Sequence, residues 1–114
     1  VHGNDDRNDR LHIVYEIYRI DLMNVRHTIK YGISSQKDYK TKEGNPRPEM
    51  QVRLFRKLPV YSTSVINYII LQKNIPGRIK AKAIELSLVN QYFFTHEAMP
   101  ERQFRPLPTN FIEP

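Results

Sequence analysis

Residues 13–18 read IVYEIY and residues 29–34 read IKYGIS, and these two stretches decide the fold of the chain. Leu11 to Ile20, around the first stretch, alternates apolar residues with others and is rich in β-branched and aromatic types, which is typical of a strand. Residues 28–33 have the same character. The intervening Asp21 to His27 contains Asp and Asn, which favour a turn. We therefore expect a β-hairpin.

A loop and a helix are expected after the hairpin. Residues 34–47 are polar and contain glycine and proline, which predicts a loop. Pro48 suits the first turn of a helix, because this turn leaves its N–H groups unpaired and proline has none. Glu49 suits the positive end of the helix dipole. The helix should run to Leu58, and Pro59 should end it.

The second half of the chain predicts a third strand and a longer helix. Residues 65–71 (VINYIIL) are almost continuously apolar, which is typical of a strand covered on both faces, so we expect this strand at the centre of the sheet. Residues 74–77 predict a turn, residues 78–95 the longest helix, and the proline-rich residues 99–114 an extended tail. Together these elements predict an α+β fold with a small, mostly antiparallel three-stranded sheet flanked by helices.

Composition predicts one ordinary globular domain. The chain has 114 residues, of which 39% are hydrophobic and 26% charged, with no cysteine. The missing cysteine excludes disulfides and cysteine-based zinc sites. No run of 18 apolar residues occurs, so we expect no membrane span. Residues 1–10 should be a linker or disordered terminus before a single domain at 11–114. The missing initiator Met is expected of a fragment or a processed form.

Basic residues are concentrated in the middle of the chain. Residues 26–57 hold 9 basic and 3 acidic side chains, a net charge of +6 that equals the net charge of the whole chain. Such a concentration is typical of proteins that bind nucleic acid, although a solvated lysine-rich loop has the same composition. The hairpin brings Tyr15, Lys30 and Gly32 beside this basic segment, which suits one wall of a phosphate-binding site.

The apolar face of the long helix contains a carboxylate, Glu85. Four residues at helical spacing share its face: Ala81, Leu88, Val89 and Tyr92. A carboxylate is costly there unless it is paired or bound to a metal. Alternatively, Glu85 lies at the edge of the apolar face and pairs with Lys82 or Arg78.

The order of these features resembles the GIY-YIG nuclease superfamily. That family combines a hairpin of two tyrosine-bearing strands, an arginine on the following helix and a metal-binding glutamate on a later helix. The first motif matches at residues 14–17 and the second at residues 30–34. The family's second tyrosine stands two residues before the glycine. This chain has Lys30 there, as some branches of the family do. The resemblance covers roughly residues 13–100.

The resemblance implies catalytic roles for Tyr15, Lys30, Arg53 and Glu85. Arg53 lies within the helix after the hairpin and is favoured over Arg47 at the start of that helix. Glu85 would bind the metal, Mg²⁺ or Mn²⁺. The family often carries Pro-x-Asn after its last helix, and this chain has the sequence PER at residues 100–102.

Hydrolysis of a phosphodiester needs a nucleophilic water, stabilisation of charge on the phosphoryl oxygens and help for the leaving group. The planar fork of Arg53 would hold the phosphate. Tyr15 would act as a general base only if its pKa falls from about 10. Lys30 could lower that pKa or donate hydrogen bonds. Taken singly, Tyr15 also fits a packed strand aromatic and Lys30 a solvent-facing lysine.

Further residues are expected to follow the nucleic-acid backbone. They are Gly32, Ser34, Lys37, Lys40, Lys42, Arg47 and Arg56. Backbone contacts carry no sequence information, so little sequence preference is expected. DNA is the expected substrate, and RNA is the alternative for the same residues. A second alternative is a non-enzymatic binding module in which Tyr15, Tyr18 and Tyr31 stack bases.

The short domain and its polar start are similar to the C-terminal nuclease domains of bacterial polymorphic toxins. This resemblance implies delivery as part of a larger protein into the cytoplasm of a competing bacterium. It also implies inhibition by a cognate immunity protein.

Overall fold

The computed structural model describes residues 10–36 and 47–103. In chain order the elements are β1 (Leu11–Ile20), β2 (Arg26–Ser35), α1 (Arg47–Arg56), a 3₁₀ helix (Pro59–Tyr61), β3 (Val65–Pro76) and α2 (Arg78–His96). The three strands form one antiparallel sheet, which confirms the predicted α+β class. The expectations for residues 1–9, 37–46 and 104–114 lie outside the described residues.

The sheet has the strand order β2-β1-β3, so β1 is central and β3 lies at an edge. The prediction that the apolar run of β3 lies at the centre is therefore wrong. Alternate residues of β3 contribute to the core, while Val65 and Ile69 are exposed. In β1, residues 12–17 are all buried, including the polar His12 and Glu16. Because of these two polar residues, the sequence of β1 has the alternation that is typical of a strand exposed on one face, although β1 is central.

The predicted hairpin turn is confirmed, and Asp21 organises it. One carboxylate oxygen of Asp21 accepts hydrogen bonds from the backbone N–H groups of Met23 and Val25, both at 2.9 Å. Asn24 has a φ of 64°, which this residue type tolerates. The turn is shorter than expected, because β2 already begins at Arg26.

The two helices cover opposite faces of the sheet. Ile13, Tyr15 and Ile17 point to one face and pack in a cluster with Val52 of α1. Val14 points to the other face, where a second cluster includes residues of α2. The predicted bounds of α2 are confirmed to within one residue, whereas α1 ends before the expected position and a 3₁₀ turn follows.

The chain after α2 returns to the edge of β2. Pro100 and Gln103 are buried, and the backbone N–H of Arg102 donates to the carbonyl of Ile29 at 2.8 Å. The first part of the expected tail therefore packs on the sheet. In residues 10–36 and 47–103, no helix combines the length and apolar content that a membrane crossing requires.

Candidate active site

Tyr15 and Gly32 face each other across the hairpin. They are partners in the β1–β2 register, and Tyr15 is only 1% exposed. A Cβ atom built on Gly32 would lie 2.5 Å from both Cζ and Oη of Tyr15, far inside van der Waals contact. The ring of Tyr15 therefore lies across the backbone of Gly32, and any larger residue would displace it. The position of the Tyr15 ring therefore requires a glycine at position 32.

The hydroxyl of Tyr15 is held by α1. It donates a hydrogen bond of 2.7 Å to Oε1 of Gln51. Gln51 is not among the site residues predicted from the sequence. One signal was available: Gln51 lies three residues after Pro48 and four before Phe55, on the side of α1 that packs on the sheet. A polar residue on the core-facing side of α1 indicates a candidate site residue, just as the buried Glu85 does in α2.

Two charged residues act on Tyr15. Burial raises the pKa of Tyr15 to about 12; the Arg47 guanidinium lowers it and the Glu85 carboxylate raises it. Arg47 and Glu85 are thus close enough for their charges to act on this hydroxyl. The condition set for Tyr15 as a general base, a pKa below its usual value, is not met, because burial outweighs the favourable interactions.

Of the two candidate arginines, the structure brings Arg47 towards Tyr15. Arg47 lies four residues before Gln51, on the same side of α1. Arg53 lies two residues after Gln51, on the far side, where it is exposed and donates to Glu49 at 2.9 Å. The sequence favours Arg53 over Arg47, whereas this geometry places Arg47, not Arg53, on the side of Tyr15.

Glu85 lies inside the buried face of α2, as its spacing predicted. It is 2% exposed and follows the same helical face as Ala81 and Val89, both also buried. This burial argues against the alternative position at the edge of the apolar face. Within the described ranges, no group of three or more His, Asp or Glu side chains could hold a metal ion. A cation at Glu85 would thus depend on one carboxylate, water and substrate phosphate oxygens, a donor set that Mg²⁺ accepts.

Lys30 shares the face of Gly32. It is half-buried, lies opposite Ile17 in the register and stands two residues before Gly32 on β2. The hairpin therefore places its side chain on the Tyr15 side of the sheet. Ser34, two residues further on, is buried, and its hydroxyl donates to the carbonyl of Ser35 at 3.2 Å.

Arg56, another residue expected to bind nucleic acid, is instead bonded to the backbone of β3. The guanidinium of Arg56 donates through Nε and Nη2 to the carbonyl of Ile66, at 3.2 and 2.7 Å. Arg56 therefore ties α1 to β3. Lys37, Lys40 and Lys42 lie outside the described residues.

The three tyrosines proposed to stack bases do not form one surface. Tyr15 is buried on the face that packs on α1. Tyr18 and Tyr31 alternate with Tyr15 and Gly32 along their strands and point to the opposite face. There the guanidinium carbon of Arg26 lies 4.1 Å from the ring centroid of Tyr18. A single stacking platform built from all three rings is incompatible with this sheet.

No protein-family model matches this chain, and neither does any curated protein or solved structure. The functional interpretation therefore depends on the residue pattern and on the geometry around Tyr15.

Proposed function

We propose that this chain is a metal-dependent endonuclease of the GIY-YIG type that hydrolyses phosphodiester bonds in DNA. The observation that carries the proposal is the surroundings of one hydroxyl. Tyr15 lies over Gly32, bonds to Gln51 and is within electrostatic range of Arg47 and Glu85. These groups come from β1, β2, α1 and α2, so only the folded chain assembles them.

Arg47 is the phosphate-binding residue in this proposal. Its guanidinium presents a planar fork of N–H donors that matches two phosphate oxygens. It lies at the start of α1, where the helix dipole also favours an anion. Arg47 replaces Arg53 in this role, because Arg53 points to the far side of the helix and pairs with Glu49.

Tyr15 acts as a neutral hydroxyl that orients water. With a pKa of about 12, roughly one molecule in 10⁵ carries an ionised Tyr15 at pH 7. Its single proton is donated to Gln51, so the lone pairs of its oxygen are left to accept a hydrogen bond. A water held in this way would be directed at a phosphate bound by Arg47, with Lys30 as a second cation on the same face of the sheet.

The metal would be held by Glu85. A bound Mg²⁺ or Mn²⁺ ion supplies Lewis-acid stabilisation of the charge on the phosphoryl and leaving oxygens. Glu85 offers a buried carboxylate whose charge reaches Tyr15, and carboxylate oxygens are the ligands that such hard cations prefer.

The biological setting is proposed from the resemblance to polymorphic-toxin domains. The chain would be delivered as part of a larger protein into the cytoplasm of a competing bacterium and be neutralised there by a cognate immunity protein. Its net charge of +6 suits a polyanionic substrate.

The proposal is tested by incubating the purified protein with plasmid DNA and with structured RNA, with Mg²⁺ or Mn²⁺ and with or without a chelator. We expect metal-dependent nicking of DNA that E85Q reduces by at least about 100-fold, since one site carboxylate is lost. The matched control is E97Q, which changes an exposed glutamate just after the same helix.

Each outcome of this assay decides a separate point. Cleavage of RNA but not DNA would keep the active site and change the substrate. Binding without cleavage of either nucleic acid, with any divalent metal, would overturn the endonuclease proposal. Full activity of E85Q would show that Glu85 is wrongly assigned.

A further inference from the structure

The segment after α2 takes the place of a fourth strand beside β2. Because β2 lies at the edge of the sheet, its outward backbone groups need partners from elsewhere. The backbone N–H of Arg102 donates to the carbonyl of Ile29 at 2.8 Å, and that of Glu101 donates to the carbonyl of Thr28 at 3.4 Å. These two bonds cover β2 just before Lys30.

The side chain of Gln103 continues this cover on the other side of Lys30. The backbone N–H of Tyr31 donates to Oε1 of Gln103 at 2.8 Å, and Nε2 of Gln103 donates to the carbonyl of Tyr31 at 3.2 Å. One side-chain amide thus satisfies both backbone groups of one residue, as a neighbouring strand would. Gln103 is 8% exposed, so water competes little for these bonds.

Tyr31 stands between Lys30, which lies opposite Ile17, and Gly32, which lies opposite Tyr15. We propose that Gln103 is a positioning residue of the endonuclease site: by holding the backbone of Tyr31, it keeps Gly32 in place against Tyr15 and Lys30 in place against Ile17. The catalytic part of this inference rests on the proposed function. The structural part rests on the two hydrogen bonds and the register of β1 and β2.

The same segment has a second attachment that does not involve Tyr31. The carboxylate of Glu101 accepts hydrogen bonds from the guanidinium of Arg19 at 2.9 and 2.8 Å and from the hydroxyl of Tyr61 at 2.9 Å. A variant at Glu101 therefore loosens the segment without removing the amide that holds β2. Comparing variants at Glu101 and Gln103 therefore separates the attachment of the segment from the positioning of β2.

The test compares Q103M, Q103E and E101Q with the wild type. Methionine keeps the length of glutamine and lacks its amide, so in Q103M the Tyr31 amide should exchange with solvent roughly tenfold faster. The NMR amide signals of Lys30 and Gly32 should shift. The kcat for DNA cleavage should fall by about 10- to 100-fold while KM changes less than about twofold, because a small misplacement affects the reaction more than binding.

The other two variants distinguish positioning from general stability. The carboxylate of Q103E can accept a hydrogen bond from the Tyr31 N–H but cannot donate one to the Tyr31 carbonyl. Compared with Q103M, this variant should therefore recover the protection of the Tyr31 amide from exchange and part of the lost kcat. E101Q should lower the unfolding midpoint and leave Tyr31 exchange and kcat near those of the wild type under folded conditions.

Two results would overturn the inference: unchanged Lys30 and Gly32 signals in Q103M, or an equal loss of kcat in Q103M and E101Q. If the wild type cleaves neither DNA nor RNA, the proposed function fails. The exchange and shift measurements then still decide whether Gln103 holds β2 in place.

Discussion

Gly32 lacks a side chain because the ring of Tyr15 occupies the space where its Cβ would stand. The requirement for glycine is steric and comes from across the hairpin. Among the glycines that the structure describes, a positive φ is found at Gly77, before α2, and not at Gly32. Gln51 then fixes the hydroxyl of Tyr15, so that two neighbours determine the placement of one ring.

We expect G32A to destabilise the fold by roughly 1–3 kcal/mol, because the added methyl overpacks a site where the ring is already in contact. The free energy of unfolding by urea measures the effect. The control is the same substitution in a Y15L background, which lacks Cζ and Oη and should tolerate alanine better. Equal costs in both backgrounds would contradict the steric assignment.

At the scale of elements, α1 presents two chemically different sides. Arg47 and Gln51 lie one turn apart on the side of Tyr15, while Glu49 and Arg53 form an exposed ion pair on the far side. Such an exposed pair contributes little to stability. The rotation of α1 about its axis, set by the packing of its apolar residues on the sheet, therefore determines which arginine lies on the side of Tyr15.

Two arginine variants test this selection. R47A should lower kcat/KM for DNA by on the order of 100-fold, as expected for a lost phosphate donor. R53A should change kcat/KM by less than about twofold. R47K should recover part of the loss, since lysine keeps the charge but not the fork. A larger loss of kcat/KM in R53A than in R47A would instead support Arg53, which the sequence favours, as the phosphate-binding residue.

At the scale of the whole molecule, Arg19, Tyr61 and Glu101 join parts that are distant in the chain. They link the centre of the sheet, the 3₁₀ helix and the segment after α2. The hydrogen bond from Arg19 lowers the pKa of Glu101 below its usual value of 4.5, against the effect of partial burial, and the hydrogen bond from Tyr61 acts with it.

This ion pair predicts a specific loss of stability in acid. A carboxyl whose pKa is lower in the folded state contributes stability above its usual pKa, and this contribution disappears as the pH falls through the folded-state value. The unfolding midpoint of E101Q should therefore lie below that of the wild type at pH 6, and the difference should shrink towards pH 3. A difference that stays constant over this range would contradict the contribution of Glu101.

The sequence predicted the elements that local chemistry controls. The Asp21 turn, the hairpin and the bounds of α2 were predicted because side chain–backbone bonding and helical spacing act over a few residues. The same spacing predicted the burial of Glu85. The position of β3 was predicted wrongly, because an apolar run does not specify which of its neighbours pair with it.

By itself, then, the sequence determined which segments form the hairpin and the two helices, and it placed Tyr15 and Gly32 on that hairpin. It ended the third strand too early, because β3 continues to Pro76 through the turn predicted at residues 74–77. The tertiary structure alone decided that Arg47 lies near Tyr15, that Gln51 bonds its hydroxyl and that Gln103 closes the edge of β2. The physical reason is the separation along the chain between the residues that interact. Periodicity and turn chemistry are local, whereas the rotation of a helix and the order of strands depend on how distant segments pack.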